Sequence, residues 1–231
     1  MKHSTILIIL ILIILIAGGA AAAILTSNKE DVKTGETFVG IFSNNFYNNA
    51  DSGEFGLGIN IASKRWSNYI NNDISIPIDY QTFDDPSSSI LAYARMNNSN
   101  DITAGGTITI NIGRNAPPAG WDDVIEHEIG HVLGLPGSNK WQNAIINNNG
   151  DTFLAANDFP LTAQAYYDLF PGASGNIPLQ SGGNHWHEST FTTELMTPNI
   201  GGENELITSR LTLTAMKEIG WDINLDQAED F

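Results

Sequence analysis

The chain has 231 residues with 26 acidic and 10 basic side chains, a formal net charge of −16 at pH 7, and no cysteine. So acidic a surface repels phosphate backbones, which argues against nucleic acid as a partner. The lack of cysteine excludes disulfides and thiolate catalysis, so the fold must rest on core packing, with or without a bound metal.

Residues 1–25 are predicted to direct export. Lys2 precedes an uncharged apolar run over Ile6–Leu25 that ends in small residues. These features are typical of a secretory signal, here with cleavage after Ala22 or Ala23. The run is also long enough to span a bilayer uncleaved, so a signal peptide and a membrane anchor both stay open. Either one makes the remaining chain extracytoplasmic, secreted or membrane-anchored.

Residues 26–36 are predicted to be a linker, and residues 37–231 a single domain. An amphipathic helix is expected over Phe55–Ile70, because apolar residues recur there three and four apart. Alternating or apolar runs predict four strands, in the order TFVGIFSN, ISIPIDY, SILAYARM and TITINI. Pro77 suggests an interruption or an edge in the second strand. A helix competes for the third run, and TITINI is predicted to be half-buried.

The segment VIEHEIGHVLGLPGS, Val124–Ser138, is predicted to carry a second helix. Asp122 and Asp123 suit its start, by capping and by facing the positive helix end. Gly134 and Pro136 suit its end. A core-facing stripe is expected at Ile125, Ile129 and Val132.

The chain beyond this helix is predicted to be rich in loops. Residues 137–184 are rich in Gly, Asn and Ser, with one short helix around LTAQAYYDLF. A final helix is expected from about Ser209, ended by Gly220. The patch NNNGD resembles part of a calcium loop, but Ile145 stands at its first ligand position, which gives little support for calcium.

The motif HExxH predicts a metal site on the second helix. His127 and His131 are one turn apart, roughly 6 Å, so both imidazoles can reach one ion at about 2.1 Å. Glu128 lies to the side, beside a metal-bound water, and suits the role of general base. The competing interpretation is a surface helix that contains two histidines by chance.

Two histidines do not complete a catalytic zinc site, which usually takes three protein ligands and water. Gly137, where many zinc proteases have the third histidine, offers no ligand. If the backbone near His185 and His187 is extended, these side chains point in opposite directions and one alone can face the metal. Spacing does not choose among the candidates His185, His187, Glu188, Glu194, Asp151 and Asp158.

HExxHxxG followed by HW and then ELMTP resembles the leishmanolysin family of zinc proteases, a branch of the metzincins. In that family the third histidine directly precedes a tryptophan, and a methionine eleven residues later forms a turn beneath the zinc. Here His185 precedes Trp186, and Met196 lies eleven residues on. Further segments resemble prokaryotic members over most of Phe38–Asn224. The resemblance therefore implies His185 as the third ligand and a structural role for Met196.

The resemblance implies an α+β fold of the metzincin or zincin type, with two lobes and a cleft between them. The upper lobe, 37–136, would hold a twisted mixed sheet and the zinc helix. The lower lobe, 137–231, would be rich in loops and hold the C-terminal helix. By similarity to metzincins, TITINI is expected to be the edge strand that pairs with an extended peptide.

The implied function is that of an exported zinc endopeptidase acting on proteins or peptides. The metal ligands would be His127, His131 and His185, and the catalytic residue Glu128. Well-known leishmanolysins have many disulfides and a long propeptide, which this chain lacks, so we expect activity without an activating cleavage. Two alternatives stay open: a non-catalytic metal-binding surface or adhesion module that retains the protease fold, and a structural metal with four protein ligands.

Overall fold

The computed structural model describes residues 38–40, 54–200 and 206–231, which form a mixed α+β structure with two small sheets and six helices. The predicted export segment and linker lie outside the described residues. Within those ranges, no helix is long and apolar enough to cross a membrane.

The first sheet is mixed and four-stranded. Its strands are β1 (Phe38–Gly40), β2 (Ser75–Phe83), β3 (Ala92–Met96) and β4 (Gly106–Asn111), in the spatial order β1-β2-β4-β3. β2 and β4 are parallel, whereas the β1–β2 and β3–β4 pairs are antiparallel. The four predicted strands therefore exist, and the third is a strand rather than the competing helix.

Two expectations about this sheet are wrong, and a third is right in part. TITINI is not the edge strand, because β4 lies between β2 and β3, and β3 forms that edge. TITINI is not half-buried either, since its polar residues Thr109 and Asn111 are covered as well. Pro77 does not interrupt β2, but the expected edge is present on one side: Pro77 is paired with Phe38 of β1, and the described pairing of β2 with β4 begins only at Ile78. The chain passes from β2 to the edge strand β3 before it returns as β4 between them. The alternation of polar and apolar residues within one strand does not predict this order.

The first two helices are α1 (Glu54–Tyr69) and α2 (Trp121–Val132). They pack closely: the Trp66 indole N–H donates to the Glu126 carbonyl at 2.9 Å. The apolar residues predicted to face the core are buried on both helices: Ile59, Ala62 and Trp66 on α1, and Ile125, Ile129 and Val132 on α2. Amphipathic periodicity thus located both helices.

The N-terminus of α2 is not capped by aspartate, contrary to the prediction. Gly120 is the N-cap residue, with φ of 99°, and no side chain caps the helix. Asp122 and Asp123 lie in the first turn, where their charge suits the positive helix end. The helix ends as predicted, with Gly134 in a left-handed conformation at φ of 116°.

The chain after α2 contains a second sheet that the sequence analysis did not predict. The helices of this part are α3 (Asn139–Asn143), α4 (Pro160–Leu169), α5 (Glu188–Phe191) and α6 (Arg210–Ile219), with a 3-10 turn at Leu225–Gln227. The strands are β5 (Ile145–Asn148), β6 (Asp151–Leu154) and β7 (Ile177–Leu179), all antiparallel. α4 and α6 confirm the two helices expected here.

The patch NNNGD forms the tight turn between β5 and β6. Asn149 and Gly150 both have positive φ, 53° and 95°. An Asn-Gly pair in this conformation is a favoured connection for a two-residue hairpin. The Asn-Gly pair of this patch is therefore explained by the turn that it forms.

Candidate metal centre

Three histidine rings converge in the described structure. His127 and His131 lie one turn apart on α2, and His185 lies between β7 and α5. The Nε2 atom of His185 is 3.2 Å from the Nε2 atoms of both other histidines. Two nitrogens bound tetrahedrally to one ion at about 2.1 Å are separated by about 3.4 Å. The trio is therefore close enough to bind a metal ion.

Main-chain carbonyls orient two of the rings. His127 Nδ1 lies 2.6 Å from the Leu195 carbonyl oxygen, and His131 Nδ1 contacts the carbonyl of Leu135. A carbonyl only accepts, so each Nδ1 carries the proton and donates it. The Nε2 lone pairs then remain available for a metal, as in histidine ligands whose second nitrogen is hydrogen-bonded.

The environment keeps the three imidazoles neutral. Burial lowers the pKa of His131 to about 4. Burial, with a smaller effect from His131, lowers the pKa of His185 to about 3. The pKa of His127 is also lowered well below its usual value, mainly by burial. A metal binds the neutral ring, so the site does not need to lose protons before it binds an ion at neutral pH.

Glu128 lines the same cleft as the three rings. Its side chain is 4% exposed, and no residue of the described ranges hydrogen-bonds to its Oε2 atom. Burial raises the pKa of Glu128 to about 8. A buried carboxyl oxygen without a protein partner is unusual, and it fits a group that meets a ligand or a positive ion.

Met196 and Trp186 pack beside the segments that carry the three histidines. Met196 is buried against α2, where a Cβ added to Gly130 would lie 2.7 Å from the methionine sulfur. The Trp186 main-chain N–H donates to the Met196 carbonyl at 3.0 Å, which joins the segment carrying His185 to the methionine turn. Met196 is thus not part of the histidine group but packs against the helix that carries two of its members.

The structure brings only one of the candidate third ligands to the pair. His187 precedes α5, and its Nδ1 lies 3.1 Å and 3.3 Å from the hydroxyls of Ser189 and Thr190. Among the described residues, the group with metal-binding geometry contains His185 and none of the other candidates, which are His187, Glu188, Glu194, Asp151 and Asp158.

The histidines open onto a cleft of about 1030 Å³. One wall is the edge strand β3, which pairs with β4 alone among the described strands. Further walls are formed by residues 86 and 89–91, residues 113–118, and residues 198–200. The site therefore opens onto a cleft rather than being enclosed in the interior.

Asn111 fixes the loop 84–91 that forms part of this wall. The fully buried amide donates to the carbonyls of Asp85 and Ile90 at 2.8 and 2.9 Å, and accepts the N–H groups of Asp85 and Gly113. Both amide donors and both acceptor positions are thus used. The sequence analysis predicted a half-buried TITINI strand and missed this role of Asn111.

A partly buried charge cluster between α1 and α2 was also missed. Arg65 of α1 contacts the carboxylates of Asp122, Asp123 and Glu126 at 3.1, 2.7 and 2.7 Å. Burial raises the pKa of Glu126 to about 7, and Arg65 opposes this shift. The three acidic residues stand within five consecutive positions at the start of the helix. This clustering indicates that a cationic side chain lies nearby, but it does not identify Arg65.

Comparison with models of known protein families gives no match for the chain, and a search among curated proteins gives no significant match either.

Proposed function

We propose that the chain is a zinc-dependent endopeptidase, with His127, His131 and His185 as metal ligands and Glu128 as general base. The observation that carries this proposal is the convergence of three imidazoles, beside a buried carboxyl group, on an open cleft. Three protein ligands leave one coordination position for solvent, as in catalytic zinc sites, whereas structural sites are closed by four.

Zinc is the ion that the donor set favours. Imidazole nitrogens suit zinc, copper, nickel and iron, whereas magnesium and calcium prefer oxygen ligands. The 3.2 Å separations of the ring nitrogens fit imidazoles bound to one ion of this group, and zinc is proposed among these ions because three protein ligands with one open position are typical of catalytic zinc sites. The absence of cysteine also removes the thiolates that would select Cu(I).

When bound, zinc would lower the pKa of a coordinated water towards about 7 and polarise the peptide carbonyl. Glu128 would accept a proton from the attacking water on a carboxylate oxygen and deliver it to the leaving amine nitrogen. His127 and His131 would keep their Nδ1 protons on main-chain carbonyls, which holds both rings in a fixed orientation.

The edge strand β3 supports an extended peptide as the substrate. Its outer backbone groups have no strand partner among the described residues, and Ala92, Tyr93, Ala94 and Met96 line the cleft. A peptide added to this edge would gain main-chain hydrogen bonds regardless of its sequence. The exposed apolar side chains of Ile90 and Tyr93 offer further contact beside the strand.

The proposal includes a family and a compartment. The order of the HExxH helix, the His-Trp pair and the methionine turn supports a leishmanolysin-like, metzincin-type catalytic domain. The apolar segment within residues 1–25 supports export, with the domain secreted or held at a membrane on its outer side.

Replacing Glu128 by glutamine tests the proposed chemistry, because glutamine keeps the shape but cannot accept the proton. We expect zinc content to be retained and casein cleavage to fall on the order of 100- to 10,000-fold. A chelator should abolish cleavage by the parent protein. Parental cleavage by Glu128→Gln would contradict the mechanism, and a parent that binds zinc yet cleaves nothing would favour the non-catalytic binding module.

A further inference from the structure

Glu194 is a fully buried carboxylate outside the histidine group. It lies at the start of the turn that contains Leu195 and Met196, and it faces the N-terminus of α6. Burying a charge without hydrogen bonds costs several kcal/mol, so its partners indicate what it does.

Every described hydrogen-bond partner of the Glu194 carboxylate is a donor. Its two carboxylate oxygens accept the Met196 N–H at 2.7 Å and the Ser209 hydroxyl at 2.9 Å. The main-chain N–H of Ser209 and the hydroxyl of Thr212 also donate to it. Ser209 is the N-cap of α6, so the carboxylate meets the positive end of a ten-residue helix.

The direction of these hydrogen bonds is fixed by groups farther out. The Trp186 indole can only donate, and it donates to the Thr212 hydroxyl oxygen at 2.8 Å. The Leu211 N–H likewise donates to the Ser209 hydroxyl oxygen. Both hydroxyl protons are therefore free to point at Glu194. Burial raises the pKa of Glu194 to about 7, and its donors oppose that shift by favouring the ionised form.

The turn held by Glu194 contacts one proposed metal ligand, His127, and the residue that follows another, His185, through its carbonyls. The Leu195 carbonyl accepts the Nδ1 proton of His127 at 2.6 Å. The Met196 carbonyl accepts the N–H of Trp186 at 3.0 Å, the residue that follows His185. A shift of the turn would therefore rotate one ring on α2 and displace the segment that carries the third.

We propose that Glu194 is a positioning residue of the metal centre. By fixing the 194–197 turn against α6, its carboxylate sets the ring orientation of His127 and the approach of His185, so that the three imidazoles are arranged before a metal arrives. This inference rests on the metal-binding part of the proposed function and does not depend on the peptidase step.

The test compares Glu194→Gln with Glu188→Gln. Glutamine at 194 keeps the size but places an NH₂ group against donors. Glu188 is a partly exposed control whose carboxylate accepts the Asn199 N–H at 3.2 Å. Apparent Zn²⁺ and Co²⁺ affinities are measured by competition with a chelating dye, together with the melting temperature of the metal-free proteins. Supporting groups around metal ligands typically contribute about 10- to 100-fold in affinity. We expect that loss for Glu194→Gln and parental affinity for Glu188→Gln.

Parental metal affinity in folded Glu194→Gln would overturn the inference, even if its metal-free form melted at a lower temperature, since that would show a purely structural role. If Glu194→Gln does not fold, Ser209→Ala removes the hydroxyl that donates to Glu194 at 2.9 Å without removing the acceptor of the Trp186 indole, and decides the question: weaker metal binding supports the inference and parental binding overturns it. A parent that binds metal but cleaves no peptide would refute the peptidase proposal alone. A parent that binds no metal would overturn both.

Discussion

His185→Ala is expected to cost most of the affinity for metal. The His185 Nε2 atom lies 3.2 Å from both partner nitrogens, so its removal leaves two ligands from a single helical turn. Structural zinc sites with four ligands bind with about 10–16 kcal/mol, or about 3–4 kcal/mol per ligand. One lost imidazole should therefore weaken binding by about 100- to 1,000-fold, because 1.4 kcal/mol is tenfold.

The matched control is His187→Ala, two residues away. His187 contacts the hydroxyls of Ser189 and Thr190 and does not belong to the converging group. Zinc titration of each metal-free protein against a chromophoric chelator measures both affinities. We expect parental affinity for His187→Ala. Tight binding by His185→Ala, or a large loss in His187→Ala, would refute the ligand assignment.

Three further predictions concern the packing of the first sheet, the cleft and the metal. Gly106→Ala should lower the free energy of unfolding in urea by about 2 kcal/mol or more, because the new Cβ would lie 2.2 Å from the Arg95 carbonyl oxygen. Gly56→Ala is the control: a Cβ there would meet no atom within 4 Å, so the change should be neutral or stabilising. Equal effects of the two substitutions would contradict this packing. Asn111→Asp should raise KM for long peptides more than for short ones, because the Ile90 carbonyl loses its donor and the loop loosens; a uniform change would argue against a role of this loop in substrate binding. Cleavage lost on chelation should return with zinc and not with magnesium, and full activity in excess chelator would exclude a metal enzyme.

The helices were predictable because their signals are local. Ser209 caps α6 by accepting the Leu211 N–H, and Gly220 ends it in a left-handed conformation. Both residues stand beside an amphipathic run, so the sequence contains the whole helix signal. The pair on α2 was equally local, since four residues make one turn.

The sheet order depends on contacts between distant segments and was therefore missed. The alternation of β4 showed a strand, but its neighbours β2 and β3, and the 84–91 loop that binds the Asn111 side chain, belong to other segments of the chain. The third ligand presented the same difficulty, since 54 residues separate His131 from His185. Residue spacing left six candidates, and the family resemblance selected the histidine that the structure brings to the pair.

The supporting carboxylates were missed for the same physical reason. Glu194 was weighed as a ligand, yet its partners belong to α6 and to the turn that follows it. The role of Arg65 depends on the packing of α1 against α2. Neither set of contacts can be predicted from one segment of the sequence, because each depends on which distant segments pack together in the fold.

X-ray absorption of the purified protein loaded with zinc tests the central claim most directly. The account predicts one zinc per chain, with three imidazole nitrogens at about 2.0–2.1 Å and one solvent oxygen. The solvent contribution should change when an inhibitor with a zinc-binding group is added. Four protein ligands, a carboxylate in place of an imidazole, or the absence of stoichiometric zinc would contradict it.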